Sequence, residues 1–261
     1  MGILNITPDS FSDGGIFLSK DNAFKQARQM FEEGADIIDI GGESTRPGAQ
    51  SVSIQEELER VIPILSKIRA ELPISISIDT SKATVMQEAM AAGANMINDV
   101  MALRGEGSLA TLAAFPNVQV CLMHIQGEPR TMQIKPHYDN VIDEIKTFLL
   151  ERVEACLQAG INSNRLIIDP GFGFGKTVAH NLLLMQQLHI FTKLGYPVLV
   201  GLSRKSLIGK ILDKPLKKRL YGGLALAVLA VNKGARVIRT HDVAATVDAL
   251  KMTSAVLQHS D

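Results

Sequence analysis

Short β-branched runs alternate eight times with longer stretches whose apolar residues recur at helical spacing. The pairs run from residues 3–7 with 22–33, through 36–41 with 54–71, 74–80 with 83–92 and 95–100 with 107–115. They continue through 118–124 with 138–159, 165–169 with 179–195 and 197–202 with 217–233, and end at 236–240 with 243–258. Gly34, Gly93, Gly160, Gly195 and Gly234 each stand just past a helical stretch, where a left-handed residue closes the helix. Three of them open the same Gly-Ala-X-apolar-Ile junction into the next strand. The strands read as near-continuous apolar runs, as expected of parallel strands covered on the outside. Consecutive βα units with no antiparallel interruption favour a closed barrel over an open doubly wound sheet. The predicted fold is α/β: a single (β/α)8 TIM barrel spanning residues 1–261, with its active site at the C-terminal ends of the strands. The first strand starts so close to Met1 that a short N-terminal segment is expected to be missing from this sequence.

Polar residues gather where the strands end: Asn5, Glu43 to Arg46, Asp79, Asn98, His124, Asp169, Ser203 to Lys205, and Arg239 with His241. In a parallel barrel these positions all emerge at one mouth. Any one of them reads as a turn residue. Polar groups from all the strands facing one mouth would carry a large desolvation cost unless they served a ligand. The pattern predicts an enzyme or a polar-ligand binder.

Charge narrows the ligand class. Lys+Arg and Asp+Glu number 27 each, for a formal net charge of zero. That balance argues against nucleic acid and membrane surfaces as partners, and leaves room for a local pocket for a small anion. No apolar run reaches the roughly 18 residues of a membrane span. No basic-then-apolar leader is visible either, so the cytoplasm is the expected location. Cys121 and Cys156 lie in apolar segments and read as reduced core thiols.

Two motifs are misleading at first sight. Residues 169–177 read DPGFGFGKT, yet a phosphate-binding P-loop would need glycine where Pro170 stands. A dinucleotide fingerprint would need it at Lys176. What remains is a Gly-rich loop after a strand ending in Asp169, either a tight turn or a device for bringing Phe172 and Phe174 to the mouth. The six histidines include no HExxH and no Cys partner at metal spacing, so a protein-held zinc centre is not expected. Mg²⁺ differs, because it keeps its waters and bridges one or two protein oxygens to substrate phosphates. Asn5 and nearby loop oxygens suit that role.

Residues 201–209 place Ser203, Arg204, Lys205 and Ser206 at a helix start. Serine capping alone does not ask for cations there, whereas a bound anion does. Arg239 and His241 add a second cationic cluster after the eighth strand, in the region where barrels commonly hold phosphate. The loops at 7–15 and 41–48 are polar, turn-rich and long enough to act as lids. Phe11 in the first is an aromatic able to close over a flat ligand.

Taken together, these stretches resemble dihydropteroate synthase from the first residue to the end of the eighth unit. Residues 1–15 (MGILNITPDSFSDGG) look like the family's first signature and residues 41–48 (GGESTRPG) like its second. IDT at 78–80, IND at 97–99, LMHIQG at 122–127, the 169–176 loop, SRK at 203–205 and RTH at 239–241 follow in the family's order. Ile125 stands where a methionine is usual, a near-isosteric apolar change. The resemblance implies joining 7,8-dihydropterin-6-ylmethyl diphosphate to p-aminobenzoate, with release of diphosphate, in folate biosynthesis. It also implies sulfonamide sensitivity. Asp79, Asn98, Met123, Asp169, Lys205 and Arg239 would form the pterin site, and Asn5, Arg46, Arg239 and His241 the diphosphate site with Mg²⁺ near Asn5. Phe11, Thr45, Pro47, Phe174 and Ser206 would hold p-aminobenzoate, with Asp13 in the moving loop. Asp79, Lys205, Arg239 and His241 would act in catalysis.

The chemistry of the residues agrees. An ionised Asp169 can accept two parallel hydrogen bonds from a 2-amino-4-oxo ring edge, and Asn98 supplies both donor and acceptor. No Ser–His or Cys–His pair argues for a covalent intermediate. A pterin-binding methyltransferase domain would share the barrel and the Asp/Asn pocket without needing the two lid motifs. A binding-only homologue would be expected to have blanked some charged mouth positions. Exposed apolar positions at 224–229 and 247–256 fit a homodimer.

Overall fold

Side-chain parity along the strands decides what the barrel can do. The computed structural model describes residues 1–6, 15–44, 48 and 50–259, without the side chains of 15–19. Its strands are β1 (Gly2–Asn5), β2 (Ile37–Gly41), β3 (Ser75–Asp79), β4 (Met96–Asp99), β5 (Gln119–Met123), β6 (Leu166–Asp169), β7 (Leu199–Gly201) and β8 (Val237–Arg239). The first six pair in parallel in chain order, as do the last two. Parallel bridges close both seams, Ile168 to Val198 and Gly2 to Thr240. There Ile3 N donates to Thr240 O at 2.9 Å and Ile168 N to Pro197 O at 3.0 Å. The strands therefore complete the predicted ring.

The helices are α1 (Gly15–Glu32), α2 (Ile54–Glu71), α3 (Ala83–Ala91), α4 (Ser108–Ala113), α5 (Val141–Gln158), α6 (Val178–Gln186), α7 (Leu188–Thr192), α8 (Ser206–Leu212), α9 (Leu220–Asn232) and α10 (Val243–Gln258). Side chains fasten the starts of α2 and α5: Ser53 accepts from Glu56 N, and Asn140 from the N–H groups of Ile142 and Asp143. The helix-closing glycines all have positive φ, from 84° at Gly160 to 100° at Gly93. One expected helix differs. Residues 179–195 form two helices that break at Gln187, and the apolar period runs through the break because Leu184, Leu188 and Phe191 all face the core.

Outward strand residues such as Ile38, Ile40, Ile76, Ile78, Leu122 and Ile168 pack with the helices in the main core. Met96, Cys121, Ile167 and Leu199 form a separate cluster on the opposite parity, inside the ring. Both cysteines are buried and free. Nearer the C-terminal ends the inward positions turn polar, and register sets them side by side. Asp79 pairs with Asn98, Met123 with Asp169, and Gly201 with Arg239. Among the described residues, no helix is long and apolar enough to cross a membrane.

Candidate active site

That inward, C-terminal layer lines a single hollow of about 460 Å³. Asp79, Asn98, Met123, Asp169, Phe174, Lys205, Arg239 and His241 all contribute to its wall. The residues were named from separate strand ends, and the barrel brings them together. Asn5 ends β1 and Ser206 begins α8, but neither lines this hollow. Phe11, Asp13, Thr45, Arg46 and Pro47 lie outside the described residues.

Each polar side chain is held by a specific partner. Arg239 donates through Nε to Asp39 at 2.6 Å and through a terminal nitrogen to Asp79 at 2.8 Å. Burial pushes the Asp79 carboxyl up to about 7, against the pull of Arg239. Asn98 donates to Asp39 at 3.3 Å. Its neighbour Asp99 turns the other way and accepts from Met101 N at 2.8 Å and Leu103 N at 2.7 Å, shaping the loop that follows. Asp169 accepts from Gly171 N at 2.7 Å, and burial raises its carboxyl while that N–H, Lys205 and Lys176 draw it down.

The Gly-rich loop is clasped by two lysines. Lys205 donates to Phe172 O and stands 4.0 Å from the Phe174 ring centroid, a cation–π contact. Burial lowers its amine to about 8, offset in part by Asp169. Lys176, 3% exposed, donates to Gly171 O at 2.9 Å and Phe174 O at 3.0 Å, and its Nζ lies 2.9 Å from His124 Nδ1. Burial, then the neighbouring Lys176, pushes the His124 imidazole down to about 2. Gly171 is required by its surroundings: at φ +71° a Cβ would sit 1.8 Å from His124 O.

The expected anion site at the start of α8 is arranged differently. Ser203 accepts from His241 N at 3.1 Å and lies 3.1 Å from His241 Nδ1, tying the loops after β7 and β8 together. Arg204 pairs with Asp242 instead of facing the hollow. Lys205, not serine, occupies the N-cap position.

Sequence reasoning missed two residues, Asp39 and Lys176. Asp39 is fully buried in β2. The signal was visible as a carboxylate interrupting the run of isoleucines at 37–40. Lys176 ends the 169–176 loop, and the sequence alone assigns its side chain no role.

A carboxylate-and-amide wall facing two cations in a barrel mouth suits a flat heterocycle with an anionic tail. The family model for pterin-binding enzymes matches residues 1–241. The chain belongs to the dihydropteroate synthase family. It is 54% identical to the dihydropteroate synthase of Haemophilus influenzae over 255 residues, covering 98% of this chain and 92% of that one. Its structure superposes on Yersinia pestis dihydropteroate synthase in complex with a sulfonamide drug, with a TM-score of 0.93 at 47% identity over 98% of this chain and 93% of that one. It also superposes on the Xanthomonas albilineans enzyme in complex with 7,8-dihydropteroate, with a TM-score of 0.90 at 46% identity over 100% of this chain and 94% of that one.

Proposed function

We propose that this chain is a folate-pathway transferase that condenses 7,8-dihydropterin-6-ylmethyl diphosphate with p-aminobenzoate, and that residues 1–261 form one pterin-binding barrel domain. The observation carrying this reading is the shared hollow in which Asp79, Asn98 and Asp169 meet Lys205 and Arg239. The relative bound to 7,8-dihydropteroate supports the product, and the sulfonamide-bound relative supports a site for an arylamine acid.

In the reaction the methylene carbon–oxygen bond breaks and diphosphate leaves with the electron pair. The arylamine nitrogen then bonds to that carbon and loses a proton. Asp169 and Asn98 orient the ring by its donor and acceptor edges. Met123 packs against one face of the ring, and Lys205 steadies its carbonyl side. Positive charge growing at the methylene is stabilised by Asp79, and negative charge on the leaving group by Arg239 and His241. Lys205, Arg239 and His241 keep their positions through Phe172 O, the two aspartates and Ser203, so little reorganisation accompanies bond breaking. Phe174 with Ser206, and with Phe11, Thr45 and Pro47, receives p-aminobenzoate. Asp13 belongs to the lid, and Arg46 with Asn5 reaches the diphosphate. Positioning a weak nucleophile over the carbon can lower the barrier by about 7–11 kcal/mol.

Among the described residues no group of three or more His, Cys, Asp or Glu side chains could hold a metal. Asn5 offers a single hard amide oxygen, which fits Mg²⁺ only in its usual mode, with waters and substrate oxygens filling the sphere. Mg²⁺ held there would neutralise charge on the diphosphate. The exposed Leu229, Met252 and Val256 on α9 and α10 suit a second copy of the chain. The decisive assay incubates the chain with Mg²⁺ and both substrates and measures diphosphate; no release above background removes the synthase reading.

A further inference from the structure

One buried carboxylate oxygen lies beneath the hollow and serves two of its residues. Oδ2 of Asp39 accepts both from Arg239 Nε, at 2.6 Å, and from Asn98 Nδ2, at 3.3 Å. Asp39 is fully buried, and its Oδ1 meets no partner among the described residues. It does not line the hollow, whereas Asn98 and Arg239 do. It sits inward on β2 in register with Ser77 of β3, one pair deeper than Asp79.

We propose that Asp39 is a positioning residue that sets the hand of the Asn98 amide, and so decides which atoms Asn98 offers to a ring in the hollow. The inference rests on the pterin reading given above. An asparagine side chain is nearly symmetric in shape, and only its partners distinguish oxygen from nitrogen. A carboxylate paired with arginine accepts but does not donate, so the NH2 end of Asn98 must face it. The amide oxygen and the second N–H are then left for the ligand, as a fixed acceptor–donor pair. Without Asp39 the amide could turn over, and the two hands would present opposite patterns to the same ring edge. A buried polar group facing the wrong pattern is penalised strongly, which is how a site of this kind discriminates between ligands. Arg239 anchors the arrangement from β8, so the acceptor face of the β4 amide is set by a carboxylate on β2 and a cation on β8.

A double-mutant cycle tests this on the full chain. Affinity for 6-hydroxymethyl-7,8-dihydropterin is measured by calorimetry for the natural chain, Asp39→Asn, Asn98→Ala and the double variant. Asp39→Asn should weaken binding about tenfold or more. In the Asn98→Ala background the same change should cost several-fold less, leaving only what Asp39 contributes through Arg239. Fully additive losses, or unchanged affinity in Asp39→Asn, would overturn the proposal. A neutron structure of the deuterated natural chain reads the amide directly and decides the matter if Asp39→Asn does not fold. Deuterium on the Asn98 atom facing Asp39 supports the proposal, and the oxygen facing Asp39 overturns it. Failure of the natural chain to bind the dihydropterin would remove the functional reading, and the neutron map would still decide the hand of the amide.

Discussion

Arg239 donates through Nε to Asp39 at 2.6 Å, across 200 residues of chain. The contact joins the last strand of the barrel to the second and places a cation beside two buried carboxyls. Arg239→Met keeps an unbranched apolar stem but strands Asp39 without its cation. Breaking such a pair from one side costs about 3–5 kcal/mol. Urea unfolding should show a loss of that size together with loss of turnover. A change in stability below about 1 kcal/mol would mean the pair does not anchor the site.

Protonation of Asp79 makes stability depend on pH. Burial raises this carboxyl from its ordinary 3.8 to about 7, so between those values the folded chain holds a proton that the unfolded chain has released. Its contribution is therefore complete below about 3.8 and is lost as pH rises through about 7. Asp79→Asn removes this dependence. Its stability relative to the natural chain should rise between pH 4 and pH 8 in parallel urea titrations, and a constant difference would contradict the assignment.

Lys176 secures the loop that carries Phe172 and Phe174 through two carbonyls and His124. In Lys176→Met, buried acceptors lose their donor, for a cost of about 1–3 kcal/mol. Because Phe174 would lose its support, the KM for p-aminobenzoate should rise. A variant of normal stability and unchanged KM would show that the loop holds itself.

Gly171→Ala drives a methyl group into His124 O from a backbone at φ +71°. Strain of this kind costs about 1–3 kcal/mol before the clash is counted. A clear fall in melting temperature is expected, and pterin affinity should drop with it, since Gly171 N also holds Asp169. A melting temperature equal to that of the natural chain would rule out the tight approach.

Phe11→Leu tests the proposed lid by steady-state kinetics. The KM for p-aminobenzoate should increase much more than that for the pterin substrate. Equal changes in both would separate Phe11 from the arylamine site.

Much of the fold was legible because its signals are local. The glycines at 34, 93, 160, 195 and 234 close helices through their own backbone freedom, and α2 and α10 begin and end where the apolar period does. The residues of the hollow were legible as strand ends for a related reason. A closed parallel barrel sends every C-terminal end to one mouth, so order along the chain becomes proximity in space. Asp39 stands out in the sequence as a carboxylate among isoleucines, but it lies in the middle of a strand, and only the register shows that it faces inward toward Arg239 and Asn98.

Local periodicity and helix-closing chemistry, carried by the sequence itself, determined an eight-unit barrel with a polar mouth. The tertiary structure alone decided that Asp39 reaches Arg239 and Asn98, that Lys176 clasps the Gly-rich loop, and that Ser203 turns to His241. The Asp39 and Ser203 contacts join segments far apart in the chain and depend on register across the ring, whereas Lys176 meets its carbonyls only because its own loop folds back on itself.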